Sequence, residues 1–108
     1  MTAVRAAFVS VLLLLASAPV ASAGNPSFDC ESARSDVQRL ICGDDELAAM
    51  DLQLARAFAG ALARASAQGV TDLQHDQDSW VETRDRCSRA ADMRACTLSA
   101  YAERLGQL

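Results

Sequence analysis

Along residues 35–108 apolar side chains return at intervals of three and four, and nowhere do they alternate as a half-buried strand requires. Val37, Leu40 and Ile41 mark a short helix predicted over about 36–42. Ser35-Asp36-Val37-Gln38 opens it as a capping box: the serine oxygen accepts the amide three residues on, and the glutamine reaches back. Gly43 is expected to end it in the left-handed conformation. Asp44 is the next N-cap, with Asp45 and Glu46 in a first turn where negative charge complements the helix dipole. Leu47, Met50, Leu54, Phe58, Ala61 and Ala65 then form one stripe of a long helix, predicted to run to Gln68 and close at Gly69. Thr71-Asp72-Leu73-Gln74 reads as a second capping box and starts a helix over roughly 72–87, with Leu73, Gln77, Trp80, Arg84 and Cys87 near one face. After a polar turn at Ser88 to Asp92, a last helix carries Cys96, Tyr101, Leu105 and Leu108. The predicted fold class is all-α: a small bundle of about four helices, made of a short helix, a long helix and a helical hairpin.

The first residues break this pattern. Arg5 supplies a positive start, Ala6 to Ala18 form an apolar run, and Ala21-Ser22-Ala23 is a small-x-small cleavage site. Residues 1–23 are therefore expected to be a secretory signal peptide cleaved after Ala23, leaving residues 24–108 as a single periplasmic or secreted domain. No Leu-x-Ala/Gly-Cys stretch precedes a cysteine, so a lipid anchor is not expected, nor is membrane association after cleavage.

Export changes how the rest reads. The chain has ten basic and fourteen acidic residues, and only Arg5 falls in the signal, so the domain carries nine against fourteen, a net charge of −5. That balance disfavours nucleic acid and anionic membranes and favours a basic protein partner. Large apolar side chains are few, and a core this thin supplies only ~3–5 kcal/mol net, so cross-links are expected. Four cysteines in a short exported domain read as two disulfides. Of the three pairings, the local ones, Cys30 with Cys42 and Cys87 with Cys96, are preferred, because the first pair flanks one short helix and the second flanks one turn. Neither gap is a CxxC, and no histidine lies near either pair, which argues against zinc and redox roles.

Catalytic signatures are missing. The sequence holds no Gly-rich phosphate loop, no Gly-x-Ser-x-Gly elbow and no His-Glu-x-x-His. His75, the one histidine, falls off the Leu73/Gln77/Trp80 face and is expected in solvent. The acids from Asp44 to Asp51 lack the alternating ligands and central glycine of a calcium loop. No enzyme, metal or cofactor is predicted. Trp80 lies on the apolar stripe and is expected in the core. Asp51 and Arg84 fall at the edges of their stripes, and two readings stand: an interhelical ion pair that fixes register, or two separately solvated charges.

Taken in order, several motifs resemble one family. They are Phe28-Asp29-Cys30, Ile41-Cys42 with Asp44, Leu47 with Asp51 and Leu54, Gln77-x-x-Trp80-x-x-x-Arg84-Asp85-x-Cys87, and Cys96 with Tyr101 and Arg104. Over residues 27–108 the chain resembles the LprI-type lysozyme-inhibitor N-terminal domain, a family of small exported bacterial proteins. Phe58 stands where that family often has tyrosine, Asp45 where it often has proline, and Thr97 where it often has leucine. The resemblance implies a protein that inhibits lysozyme by stoichiometric binding. Asp44, Asp45 and Glu46 at a helix start, and the Ser88 to Asp92 loop, are the candidate contact residues for a basic partner. A second function class is a general periplasmic interaction or structural module with an endogenous envelope partner.

Overall fold

Four helices follow one another in the computed structural model, which describes Thr2 and residues 25–108: α1 (Asp36–Gly43), α2 (Asp45–Arg64), α3 (Ala67–Asp85) and α4 (Met93–Gln107). Short 3-10 turns precede α1 at Cys30–Ser32 and follow α3 at Arg86–Arg89. The expected signal peptide, Thr2 apart, lies outside the described residues. Among those residues there is no strand, and no helix is long and apolar enough to cross a membrane.

Local chemistry sets most of the boundaries. Ser35 and Gln38 form the full capping box at the start of α1, and the Asp44 carboxylate accepts the Leu47 amide at the start of α2. Asp44 is at once the last cap of α1 and the first of α2, so the chain turns there on a single extended residue. Gly43 is not left-handed: it ends α1 with helical geometry, and among the described residues no glycine has positive φ. The break between the two long helices also differs from expectation. α2 stops at Arg64, Ser66 caps α3 by accepting the Gly69 amide at 3.1 Å, and Gly69 lies inside the new helix. Thr71 is no cap; its hydroxyl donates back to the Ala67 carbonyl at 3.4 Å.

Both disulfides form as the local pairs, Cys30–Cys42 and Cys87–Cys96. The first pins the N-terminal lead-in to the end of α1. The second clamps α3 to α4, which run antiparallel: Trp80 donates its indole N–H to the Ala100 carbonyl at 3.1 Å, and Arg104 reaches Gln77 at 2.9 Å. Val37, Ile41, Leu47, Leu54, Cys87 and Tyr101 make the core, none more than 3% exposed. Burying each large aliphatic contributes about 1.5–3 kcal/mol relative to leaving it in water.

This core is lopsided. Every buried residue of α2 lies between Leu47 and Leu54, and α3 buries only Arg84. No residue from Ala55 to Thr83 is buried, so the linked ends of α2 and α3 stand clear of the bundle. Phe58, Leu62, Val70 and Leu73 are left half-exposed on that hairpin tip.

Candidate functional site

Asp51 and Arg84 are buried together, 5% and 4% exposed, but they do not meet directly. The Tyr101 hydroxyl of α4 stands between them, donating to Asp51 Oδ1 at 2.7 Å and accepting from Arg84 Nη1 at 3.3 Å. The other Asp51 oxygen, Oδ2, accepts both the amide and the hydroxyl of Ser27 at 2.6 Å. Arg84 has its own counter-ion in the next residue, Asp85, at 2.8 Å. The two charges are thus neither directly paired nor separately solvated: a relay through a phenol joins them and ties the lead-in, α2, α3 and α4 together. Trp80 closes it from the side. It is half-buried rather than fully in the core, edge-on to Tyr101 at 5.0 Å between ring centroids, with the Arg84 guanidinium 5.6 Å above its own ring.

The relay holds charge in place. Burial works against the Arg84 charge, but the Tyr101 hydroxyl and the Asp85 carboxylate outweigh it and raise its pKa. Burial pushes the Tyr101 phenol well above its usual range; the bond it donates to Asp51 adds to this, and Arg84 only partly opposes it. A phenol whose pKa is raised on folding adds stability in full below the unfolded value of about 10, and that stability is lost as pH rises beyond it. Tyr101 is the chain's one tyrosine, so an alkaline titration reads it alone. Native protein should show no phenolate absorbance at the pH where the reduced, denatured chain shows half, with the signal arriving only on unfolding. Coincident titration curves would contradict the buried relay.

The two candidate contact surfaces are brought to one end of the molecule. Arg94 in the first turn of α4 reaches across to α2, donating to Asp44 Oδ2 at 2.6 Å and to Glu46 Oε2 at 2.7 Å. The Arg94 hydrogen bonds, with the Leu47 amide, hold the Asp44 carboxyl below the usual carboxylate range. Asp92 accepts the Ala95 amide at 2.9 Å as the cap of α4. Asp45 and Ser88 are exposed, with Ser88 in the 3-10 turn between Arg86 and Arg89. Most of the acids at this end therefore serve the fold already, and three arginines lie among them.

The unspent negative charge lies elsewhere, on α3. From Ala67 to Thr83 that helix has no lysine or arginine, and Asp72, Asp76, Asp78 and Glu82 are all exposed. None takes part in an ion pair among the described residues. Asp72 with Asp76, and Asp78 with Glu82, are like charges one helical turn apart, an arrangement that destabilises a helix by a few tenths of a kcal/mol per pair. Beside this face a groove of about 810 Å³ opens between α3 and α4, walled by Leu73, Trp80, Leu108 and the Cys87–Cys96 disulfide and rimmed by Asp76 and Glu103. His75 is exposed on the same helix. Among the described residues no three His, Cys, Asp or Glu side chains gather as a metal site.

No protein-family model matches the chain, and no solved structure does. Over 102 residues, 91% of this chain, it is 36% identical to the Lipoprotein LprI of Mycobacterium bovis and to those of two Mycobacterium tuberculosis strains. Over this stretch the chain is similar to LprI. It spans about half the length of these relatives, 50% of each.

Many of the residues that carry the resemblance make contacts that hold this fold together. The four cysteines make the staples, Asp44 caps α2, and Asp51, Trp80, Arg84 and Tyr101 form the relay. Departures from the pattern are absorbed locally. Thr97 is fully buried, and its hydroxyl donates to the Met93 carbonyl at 2.7 Å, so it is buried without an unpaired polar atom. Asp45 occupies the first turn of α2, where an acid suits the dipole as a proline would suit the geometry. The α2–α3 tip and the exposed acids of α3 lie outside these structural contacts.

Proposed function

We propose that the chain is an exported, non-enzymatic protein that binds a basic lysozyme and blocks its cleft. The reading draws on the family resemblance and on one physical observation, the unpaired acidic face of α3 beside a half-exposed apolar tip. Lysozyme cleaves with two carboxylates in a groove. A protruding helical hairpin has the shape to enter such a groove, and its unbalanced acids steer a cationic partner toward it. The relay joins α2 to α3 at the base of the hairpin, through Asp51 and Arg84, which limits the entropy lost on docking. Phe58, Leu62, Val70 and Leu73 supply apolar contact and the acids a polar rim, the usual division of labour in an interface.

The test is a titration of oxidised protein against a basic lysozyme in a cell-wall lysis assay at two salt concentrations. Activity should fall stoichiometrically and recover as salt is raised. A variant carrying D72N, D76N, D78N and E82Q should bind roughly thirtyfold more weakly, taking about 0.5 kcal/mol for each rim charge. The same variant should be no less stable than the parent, because its like-charge pairs are relieved. Full-strength inhibition by the neutralised variant would remove α3 from the interface. No inhibition at either salt concentration would overturn the reading in favour of an endogenous envelope partner.

A further inference from the structure

Among the described residues two arginines are buried, and only one has a counter-ion there. Arg84 has Asp85. Arg104 is 5% exposed, yet its acceptors are neutral amides: Nε donates to Gln77 Oε1 at 2.9 Å and Nη1 to Gln107 Oε1 at 3.1 Å. Its Nη2 is the one buried side-chain nitrogen or oxygen without any partner among the described residues. A buried guanidinium is ordinarily matched by a carboxylate, since burying a charge without one is strongly unfavourable. Arg104 lines the α3–α4 groove, whose volume of about 810 Å³ falls in the range of small-ligand sites.

We propose that this groove is a receptor for the free carboxyl terminus of a peptide, with Arg104 taking the carboxylate. The proposal goes beyond lysozyme inhibition and does not rest on it. Gln107 sits exposed on the last turn of α4. Carboxylate binding requires Gln107 to release Nη1 and the buried Nη2 to become accessible beside it; the two nitrogens then form a two-pronged fork that fits a carboxylate better than any neutral acceptor. Leu73 and Trp80 receive the terminal apolar side chain. Asp76 and Glu103 on the rim meet a basic residue just before it. Charge complementarity singles out this ligand. An alkyl carboxylate satisfies Arg104 and the apolar wall but leaves the two rim acids facing hydrocarbon. Inorganic phosphate satisfies Arg104 alone.

The probe is an N-acetylated tetrapeptide ending in arginine then leucine, compared with the same peptide amidated at its C-terminus. Binding to the oxidised full chain is followed through Trp80, its one tryptophan, and checked by calorimetry without lysozyme present. The free acid should bind roughly ten- to a hundredfold more tightly than the amide, as a charge-assisted pair implies. Gln107→Ala, on an exposed turn, should tighten the acid form and leave the amide unchanged. Arg104→Gln should abolish the preference between them, and if that variant does not fold, the Gln107→Ala comparison decides. Equal affinity for acid and amide, no binding of the acid at millimolar concentration, or tighter binding of dodecanoate or phosphate than of the peptide would each overturn the proposal.

Discussion

Asp51→Ala should destabilise the domain by about 3–5 kcal/mol, the range for removing one partner of a buried charged network. The reason is what the side chain holds rather than its size. Three donors converge on its two oxygens, from the Ser27 amide, the Ser27 hydroxyl and the Tyr101 hydroxyl. Truncation leaves the buried Tyr101 hydroxyl without an acceptor, releases exposed Ser27 to water, and costs Arg84 the oriented phenol it donates to. Asp51→Asn keeps the shape but turns one oxygen into a donor, so either Ser27 or Tyr101 faces a donor of its own kind, at about 1–3 kcal/mol. Tyr101→Phe should fall in the same range, leaving Asp51 Oδ1 and Arg84 Nη1 unpaired. The relay also predicts the pattern of coupling. In double-mutant cycles Asp51 and Tyr101 should couple more strongly than Asp51 and Arg84, which touch only through the hydroxyl. Urea unfolding of the oxidised protein measures all of these. At roughly 4–8 °C of Tm per kcal/mol for a domain of this size, Asp51→Ala should be partly unfolded near room temperature. A loss below about 1 kcal/mol would show that the network is not what joins the helices.

Much of this arrangement was legible in the sequence, and the failures have definite causes. Caps that rest on a spacing of three, Ser35 with Gln38 and Asp44 with Leu47, form as read because donor and acceptor are both local. The α2–α3 break lies inside an alanine-rich stretch whose apolar spacing reads as one continuous helix to Gln68, so the spacing alone gives no sign of a cap at Ser66. Ser66 prevails over Thr71, whose β-branched hydroxyl satisfies itself against the preceding turn. The staples were readable from cysteine positions and the expected compartment. Asp51 and Arg84 were readable as polar residues at stripe edges, but Tyr101 lies fifty positions from Asp51, and an apolar-stripe aromatic gives no sign that its hydroxyl will be the link. The acidic face of α3 was in plain view as a run without lysine or arginine. It stands out only once Arg94 is seen to engage Asp44 and Glu46, because a solvated acidic face and a docking face look alike until the other charges have been paired off.

Reducing both disulfides should unfold the domain outright. In the chain-entropy account, a loop of the length closed by Cys30–Cys42, twelve positions apart, is worth about 3 kcal/mol, and one of the length closed by Cys87–Cys96, nine apart, slightly less. Together they match or exceed the ~3–5 kcal/mol that a core of this size provides net. The two bonds are not equivalent in what else they hold. Cys87 is 3% exposed and belongs to the core, and its bond fixes the register in which Trp80 and Arg84 meet α4. Cys30 is only half-buried, and the lead-in it anchors is also tied down by Ser27 on Asp51. Cys87→Ala with Cys96→Ala should therefore lower Tm further than Cys30→Ala with Cys42→Ala, although its loop is the shorter and entropy alone would order them the other way. Thermal melts followed by far-ultraviolet circular dichroism, on oxidised parent, both double variants and reduced parent, separate the two contributions. If the Cys87/Cys96 variant melts above the Cys30/Cys42 variant, loop entropy governs and the core role of Cys87 is minor. If the reduced parent keeps its helix content and a cooperative melt, the apolar core and the relay suffice without the cross-links.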